Sequence, residues 1–312
     1  MHIMVFPLTL AIIASLFSAL VNHIDKYLIS KAVKNADSRS LVLVSTIIAG
    51  GVMTLIYLPI CGFRLSLDTQ SVLMLFFSAI MFVIMLVFYY KALSRDDTTI
   101  VAIMFQTIPV FVLLLSPLFL EDQYIQPLQI LGGLLVILAS IVVTYEPDGK
   151  RFSKHKLITL LITAFAAFAY AIYFIFDELV ISNHDFDQTI LWYNIALFVV
   201  GILIFIFMKS FRTSFLKMLK TNGPQVIGLN LVNELLNSFA NVFLLMAGAM
   251  IPMALVSFVN QGVQVFMVMI LGIIITKLFP KIEKEEITRA NIIKRTAAIV
   301  ICVIGLGLIQ FG

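Results

Sequence analysis

A stripe of polar side chains follows one otherwise apolar stretch of the sequence. Glu234 is the only charged residue among the 56 residues between Lys220 and Lys277. At 100° per residue on a helix, this carboxylate and four asparagines occupy an arc of about 100°; the asparagines are Asn230, Asn233, Asn237 and Asn241. A charge at the centre of a membrane costs at least about 2.5 kcal/mol, so it faces water or a partner. The stripe therefore predicts a transport pathway in which Glu234 couples a proton or a cation to the movement of a solute.

Packing between helices is the alternative interpretation of this stripe. Asparagines that hydrogen-bond across membrane helices contribute about 1 kcal/mol each, and a neighbour can hold a lone glutamic acid in its protonated form. The uncharged stretch is too long for one membrane span, which needs roughly 20 residues. It fits two helices joined by a turn at Gly248 and Pro252.

Other polar groups at the same expected depth extend the candidate substrate-binding site. Asn260, Gln261 and Gln264 share one face of the second helix of the pair, and Gln106 lies one turn from Pro109 in an earlier span. Proline removes a backbone N–H and frees a carbonyl in the preceding turn. Since amide side chains both donate and accept hydrogen bonds, the set predicts a site for a small polar solute.

Tyrosines and one histidine complete the candidates. Tyr170 and Tyr173 would add aromatic walls to the site, although packing in the core or at the membrane interface explains them equally well. His23 and Asp25, near the end of the first apolar run, suggest a gate or a proton relay. A structural histidine with satisfied hydrogen bonds is the competing interpretation of His23.

Composition excludes a soluble domain. Hydrophobic residues make up 61% of the chain, charged residues only 12%, and the mean hydropathy is +1.08, whereas soluble domains carry about 25% charged residues. The two cysteines, Cys61 and Cys302, lie far apart in apolar segments and indicate neither a disulfide framework nor a metal site. No motif of a zinc enzyme or a phosphate-binding loop is present. We therefore expect a membrane protein that is not an enzyme, with no cofactor and no nucleic-acid partner.

Uncharged runs of span length divide the whole chain. A retained first span at 1–24 is followed by runs at Ser40–Phe63, Thr69–Tyr90, Thr98–Leu120, Gln123–Tyr145, Leu157–Phe176 and Gln188–Met208. The pair within 221–276 comes next, and a last run at Thr296–Gly312 gives a span when it is extended back to about Asn291. Longer, basic connections are expected at Pro147–Lys156, Lys209–Pro224 and Lys277–Lys294. The sequence predicts an all-α polytopic membrane protein with ten transmembrane helices.

Basic residues are distributed unequally between the two ends of these spans. Of the 21 lysines and arginines, all except Arg64 fall in alternate connections on one side. Cationic loops near span ends remain in the cytoplasm, so both termini are predicted to lie outside the cytosol of a cell inner (cytoplasmic) membrane.

Internal repetition divides the chain into two halves. Asp25–Ser30 reappears as Asp177–Ser182 at a shift of 152, and Phe88, Gln106 and Phe111 coincide with Phe243, Gln261 and Phe266 at a shift of 155. Repeats of five helices have opposite orientations in a membrane, as in many secondary transporters. The prediction is two inverted five-helix repeats, at 1–146 and 157–312, joined by a cytoplasmic linker at 147–156.

The same segments resemble a known family. Asn22–Leu28 ends the first span, Tyr90–Arg95 leaves the third, Gln106–Phe111 lies in the fourth with Phe119–Glu121 after it, and Gly132-Gly133 opens the fifth. In these features the chain resembles EamA-type members of the drug/metabolite transporter superfamily. The resemblance implies a carrier in which spans 3, 4, 8 and 9, with 1 and 6, surround a central cavity that opens alternately to each side.

The predicted function is secondary transport of a small polar metabolite, such as an amino acid or an amine, across the cytoplasmic membrane by alternating access. Coupling to protons through Glu234 is part of this prediction. A flippase for a lipid-linked polar head group and a non-transporting membrane sensor or assembly partner remain as alternatives. The expected partners are the solute and the lipid bilayer, with the protein a monomer or a homodimer.

Overall fold

The computed structural model describes residues 2–32, 38–119, 125–144, 154–248, 250–251 and 253–311. Regular structure in these ranges is entirely helical. The α-helices are α1 (His2–Tyr27), α2 (Ser38–Leu43), α3 (Gly50–Ile60), α4 (Thr69–Leu93), α5 (Thr98–Phe105), α6 (Ile108–Phe119), α7 (Pro127–Thr144), α8 (Lys154–Ile181), α9 (Phe186–Phe207), α10 (Lys209–Gly248), α11 (Met253–Leu278) and α12 (Arg289–Phe311).

Nine helical spans in the described ranges are long and apolar enough to cross a membrane. One of them combines α2, a π-helical stretch at Val44–Ala49 and α3. The tenth predicted span corresponds to the second part of α10, whose polar stripe lowers its mean hydropathy below that of the others. The prediction of an all-α polytopic membrane protein is confirmed. Pro252, in the predicted turn between α10 and α11, lies outside the described residues, as does most of the predicted linker at 147–156.

The fourth span is broken between α5 and α6. Pro109 has no N–H to donate to the carbonyl of Phe105, so the regular ladder cannot continue through this point. Two tighter turns replace it, in which Gln106 N–H donates to Ile103 O and Thr107 N–H donates to Met104 O, each at 3.2 Å. The break leaves the side chain of Gln106 buried in the bundle.

The predicted connection at Lys209–Pro224 is wrong, because this segment is helical. It forms the first part of α10, which bends at Asn222, where the backbone angles are φ −141° and ψ 25°. Phe211, Phe215 and Met218 lie on one buried face of this part, at the spacing of an amphipathic helix. The basic residues at 209–220 led to the interpretation as a loop, but they occupy the other faces of this helix.

Helix pairs from the two halves of the chain pack along one another. α4 packs on α8, α1 packs on α10, and α7 packs on α12. The last pair is especially close, since a Cβ atom added to Gly132 would lie 2.5 Å from the carbonyl oxygen of Gly305. Pairing of the third span with the sixth, and of the eighth with the first, is consistent with an inverted repeat. The division into two repeats stays a prediction.

Two names describe the ends of this bundle. We call the end that carries the loops 94–97 and 279–288 the basic side, because the connections rich in lysine and arginine lie there. We call the opposite end, with the loops 61–68 and 182–185, the acidic side.

Candidate functional site

The polar stripe of α10 meets α1 at a buried hydrogen bond. Asn233 Nδ2 donates to Asp25 Oδ1 at 2.9 Å, and both side chains are buried. The bond joins a residue predicted to bind substrate to a residue predicted to act as a gate. The first turn of the stripe and the end of α1 therefore form one cluster in the structure.

A second chain of hydrogen bonds connects the stripe to α4. Asn230 Nδ2 donates to Ser45 Oγ at 3.0 Å, and Ser45 Oγ lies 3.3 Å from the hydroxyl of Tyr90. Next to it, Tyr89 donates to Asn22 Oδ1 at 2.9 Å. Asn22 precedes His23, with which the sequence suggested it as a gate or relay, whereas Ser45 was missed because it belongs to no recognisable polar stripe.

Amide oxygens of this cluster lack partners. Asn230 Oδ1, Asn233 Oδ1 and, on α11, Gln261 Oε1 are buried without a hydrogen bond in the described structure. A buried acceptor left unpaired costs about 1–3 kcal/mol, so such atoms are uncommon in a region that serves only packing. Their presence indicates a place where a ligand or water supplies donors.

Glu234 follows Asn233 directly on α10 and belongs to the same cluster. Its carboxylate interacts electrostatically with Asp25 on α1, Tyr90 on α4 and Tyr193 on α9. The side chain is partly exposed, unlike those of Asn230 and Asn233. We call Asp25, Asn230, Asn233 and Glu234 together the polar wall.

The stripe becomes accessible toward the acidic side. Asn237 and Asn241, the next members of the stripe, are exposed. The opposite face of α10 is exposed too, but it carries Leu235, Phe239 and Val242, as expected of a surface in contact with lipid. The two exposed faces of α10 have opposite chemistry, so we interpret the polar one as the border of an internal crevice that leads from the polar wall to the acidic side.

The three amide side chains of α11 have different surroundings. Asn260 faces α1, where Ser15 Oγ lies 3.2 Å from both its backbone and its side-chain oxygen. Gln261 Nε2 donates to Ser257 Oγ at 3.2 Å. Gln264 lines a small cavity of about 30 Å³ with Gln106, next to Asn22 and Tyr89. Asn260 thus contacts α1, whereas Gln106 and Gln264 line the same small cavity, which has about the volume of one water molecule.

A cluster of aromatic rings lies where α4, α8 and α9 pack together. The rings of Tyr170 and Tyr173 lie 5.0 Å apart, Tyr173 lies 5.5 Å from Tyr193, and Phe82 lies 5.2 Å from Tyr173. These four residues come from α4, α8 and α9, and we call them the aromatic wall. At its end toward the acidic side, Ser78 Oγ donates to Asp177 Oδ1 at 2.6 Å.

The two halves share one hydrogen-bond geometry. A shift of 152 relates Asp25 to Asp177, and a shift of 155 relates Ser78 to Asn233. Both pairs are bonded in the structure, with the aspartate as acceptor each time. This correspondence is consistent with the predicted duplication.

On the basic side, a network of charged residues closes the bundle. His23 Nδ1 lies 2.6 Å from Glu283 Oε2, and His23 Nε2 lies 2.9 Å from the carbonyl oxygen of Val268. Both neighbours are acceptors, so the doubly protonated, charged form of His23 satisfies them. The structure thus places His23 in a network with the loop 279–288, apart from Asp25.

Arg295 is the second centre of this basic-side network. It forms ion pairs with Glu285 and Asp97, and Glu285 also accepts from Thr99 N–H at 2.9 Å. Burial raises the pKa of Glu285, although the charge of Arg295 opposes this effect. Sequence reasoning missed these residues because 279–288 was treated only as a charged loop; the acidic residues within a basic connection were the available signal.

Other features of the described residues lie away from the polar wall. A depression of about 420 Å³ in the acidic-side loops is lined by His184, Asp185 and Gln188. In the part of the chain that the structure describes, no three His, Cys, Asp or Glu side chains are placed to hold a metal ion. Cys61 and Cys302 are free thiols.

A helical membrane protein with a buried polar cluster, accessible from one side of the bundle and closed on the other, has the features of a transport protein. Residues 5–145 match the model of the EamA-like transporter family. The matched range ends next to residue 146, the predicted end of the first repeat.

Comparison with solved structures supports the fold. A protein described only as a crystal structure superposes with a TM-score of 0.54, over 95% of this chain and 98% of its own, at 14% sequence identity. At that identity the likeness concerns the fold alone. No curated protein matches the sequence.

Proposed function

We propose that the protein is a secondary transporter that binds a small polar solute at the polar wall and moves it across the cytoplasmic membrane by alternating access. The observation that carries this proposal is the pair of buried, unpaired amide oxygens on Asn230 and Asn233. They lie where the crevice bordered by Asn237 and Asn241 ends, so a solute that enters from the acidic side reaches them.

The asymmetry of the bundle supports alternating access. The polar stripe is exposed toward the acidic side, while charged residues of α1, α12 and the loop 279–288 close the basic side. A carrier needs one such closed end at a time, and the ends must exchange roles during transport. In this proposal the basic-side network around His23, Glu283 and Arg295 opens when the crevice closes.

Charge distribution supports the orientation of this cycle. The basic loops lie in the cytoplasm and both termini lie outside the cytosol, because cationic segments near span ends are retained on the cytoplasmic side. The crevice then opens to the outside. Reporter tags fused to either terminus are expected to give a non-cytoplasmic signal, and a cytoplasmic signal from both tags would contradict the orientation.

A lipid-linked substrate receives less support from the same residues. Phosphate groups need basic partners, but Lys26 donates to the carbonyl oxygens of Leu93 and Asp96, and His23 and Arg295 are paired with carboxylates. The polar wall contributes acceptors and negative charge instead. Transport of a soluble polar solute fits these groups better.

Counterflow in proteoliposomes tests the proposed function. The purified protein is reconstituted, the vesicles are loaded with one unlabelled solute from a panel of amines, amino acids, nucleosides and sugars, and uptake of the labelled form is measured. We expect uptake of at least one class and its loss in the Asn230→Ala/Asn233→Ala double variant.

A matched control for this experiment is Asn194→Ala. Asn194 is also a buried membrane asparagine, but its Nδ2 donates to Ile190 O of its own helix. This variant is expected to retain counterflow. Absence of counterflow for every class with folded protein, or equal activity of the double variant and the parent, would refute the proposal.

A further inference from the structure

We propose that the substrate is an organic amine, whose protonated amino group binds at the polar wall and whose apolar part contacts the aromatic wall. The inference rests on the transport function proposed above and names its substrate class. It also assigns Asp25 to binding, together with Glu234, Asn230 and Asn233.

Hydrogen-bond capacity at the polar wall is almost entirely that of an acceptor. Asn233 Nδ2 already donates to Asp25, and Asn230 Nδ2 already donates to Ser45. Their Oδ1 atoms remain unpaired although the side chains are only 5% and 0% exposed. An ammonium group has three donors and no acceptor, so it complements these oxygens and the carboxylates better than a hydroxyl or an amide does.

Charge at the polar wall points to the same ligand. The carboxyl groups of Asp25 and Glu234 lie within electrostatic range of each other, and neither forms an ion pair within the described part of the chain. Lys26 follows Asp25 directly, yet its Nζ is bound to the carbonyl oxygens of Leu93 and Asp96. A cation between the two carboxylates would relieve their repulsion, which is strong in a medium of low dielectric constant.

The same arrangement discriminates against zwitterions. An amino acid brings a carboxylate that needs a basic partner, and the nearest basic groups are already engaged: Lys26 with backbone carbonyls and His23 with Glu283. Desolvating that carboxylate beside Asp25 and Glu234 without a partner is costly. An amine that lacks a carboxylate avoids this cost.

The aromatic wall provides for the remainder of the molecule. Tyr193 belongs to this wall and lies within electrostatic range of Glu234, so a ligand bound at Glu234 would lie close to the aromatic wall. Aromatic faces attract cations and stack with other rings. A ligand with an ammonium group next to an aromatic or alkyl group can therefore use both walls at once.

Three probes of similar shape test the class of ligand. Phenethylamine carries the amine and a ring, phenylalanine adds a carboxylate, and 2-phenylethanol replaces the charge with a hydroxyl. Isothermal titration calorimetry on the purified full-length protein is expected to show at least tenfold tighter binding of phenethylamine than of the other two. Butylamine, which has no ring, is expected to bind more weakly than phenethylamine but more tightly than butanol.

Substitutions locate the site. Asp25→Asn and Asn233→Ala are each expected to weaken phenethylamine binding at least tenfold, whereas Asn194→Ala changes it less than twofold. Thermal melting establishes that each variant is folded; if Asp25→Asn does not fold, Asn233→Ala decides. Binding of neither amine, equal binding of the amine and its neutral analogue, or unchanged binding by folded Asn233→Ala would overturn the inference.

Flux measurements separate this inference from the proposed function. Phenethylamine binding with no counterflow of any solute would refute transport and leave the amine site in place. Counterflow of neutral or zwitterionic solutes without amine binding would refute the amine site and leave transport in place.

Discussion

The polar wall and the aromatic wall lie on helices that the predicted repeat relates to each other, since α10 corresponds to α4 and α8 corresponds to α1. The residues at the matched positions nevertheless differ. At a shift of 155, Asn230 and Glu234 on α10 correspond to Leu75 and Ala79 on α4, which are fully buried in apolar packing. At a shift of 152, Tyr170 and Tyr173 on α8 correspond to Ser18 and Val21 on α1.

What the matched positions share is equally informative. The aspartates Asp25 and Asp177 keep a hydrogen bond to the equivalent helix of the other half, from Asn233 and Ser78 respectively. This bond serves the architecture in both halves. Within the described residues, buried acceptors without a partner occur at the polar wall but not at the aromatic wall, so the difference between the two walls, rather than their common geometry, is what a substrate would recognise.

The largest effect on counterflow is expected at Asp25, and the same substitution at Asp177 is expected to have a much smaller one. Asp25→Ala is expected to lower counterflow roughly 10- to 100-fold, since a buried hydrogen bond to a charged group contributes about 1.5–3 kcal/mol and a ligand would lose its counter-charge as well. Asp177→Ala removes the matched bond on the aromatic wall and is expected to lower counterflow no more than about threefold. Equal losses in the two variants would show that both aspartates act only in packing.

Substitution of Glu234 is expected to separate solute exchange from accumulation of the solute against a gradient. A neutral amide keeps the shape of the side chain but cannot take up or release a proton, so Glu234→Gln is expected to retain solute exchange and to lose accumulation against a gradient. Uptake driven by a pH difference across proteoliposomes measures this. Accumulation equal to that of the parent, with the same pH dependence, would make the carboxylate structural.

The aromatic wall is expected to act through its rings rather than its hydroxyl groups. Tyr193→Phe keeps the ring and is expected to change substrate affinity less than about threefold, whereas Tyr193→Leu loses an aromatic contact of about 0.5–1.5 kcal/mol and weakens affinity several-fold. Competition binding measures both. A larger effect of Tyr193→Phe than of Tyr193→Leu would assign the interaction to the hydroxyl group.

The smallest effect on binding is expected at Asn260. Its oxygens face Ser15 of α1 rather than the polar wall, so Asn260→Ala is expected to lose about 1 kcal/mol of stability, or a melting temperature lower by roughly 2–4 °C. Substrate affinity should stay within twofold. A tenfold loss of affinity at an unchanged melting temperature would show that Asn260 belongs to the binding site, as its position on the polar face of α11 predicted.

Long, periodic features were predictable from the sequence. The spans follow from apolar length, and the break in the fourth span follows from the missing N–H of Pro109. The stripe of α10 has a polar, internally directed face because 100° per residue places Asn230, Asn233 and Glu234 together.

Contacts between distant segments were not predictable in this way. Helical periodicity says which residues share a face but not which helix that face meets, so the bond from Asn233 to Asp25 came from the structure. The same limit applies to Glu283 and Glu285, which reach His23 and Arg295 from a loop with no periodicity. The first part of α10 was missed because charge, rather than the spacing of Phe211, Phe215 and Met218, dominated its interpretation.

The close approach of α7 and α12 restricts how the molecule can change shape. Where the backbones of Gly132 and Gly305 touch, no side chains lie between the helices to change rotamer or interdigitate differently. Such a contact permits rotation about itself but opposes sliding, because a displacement along the axis brings a larger residue against the opposite backbone. We therefore expect this contact to serve as a pivot during transport, with helices farther from it moving through larger distances.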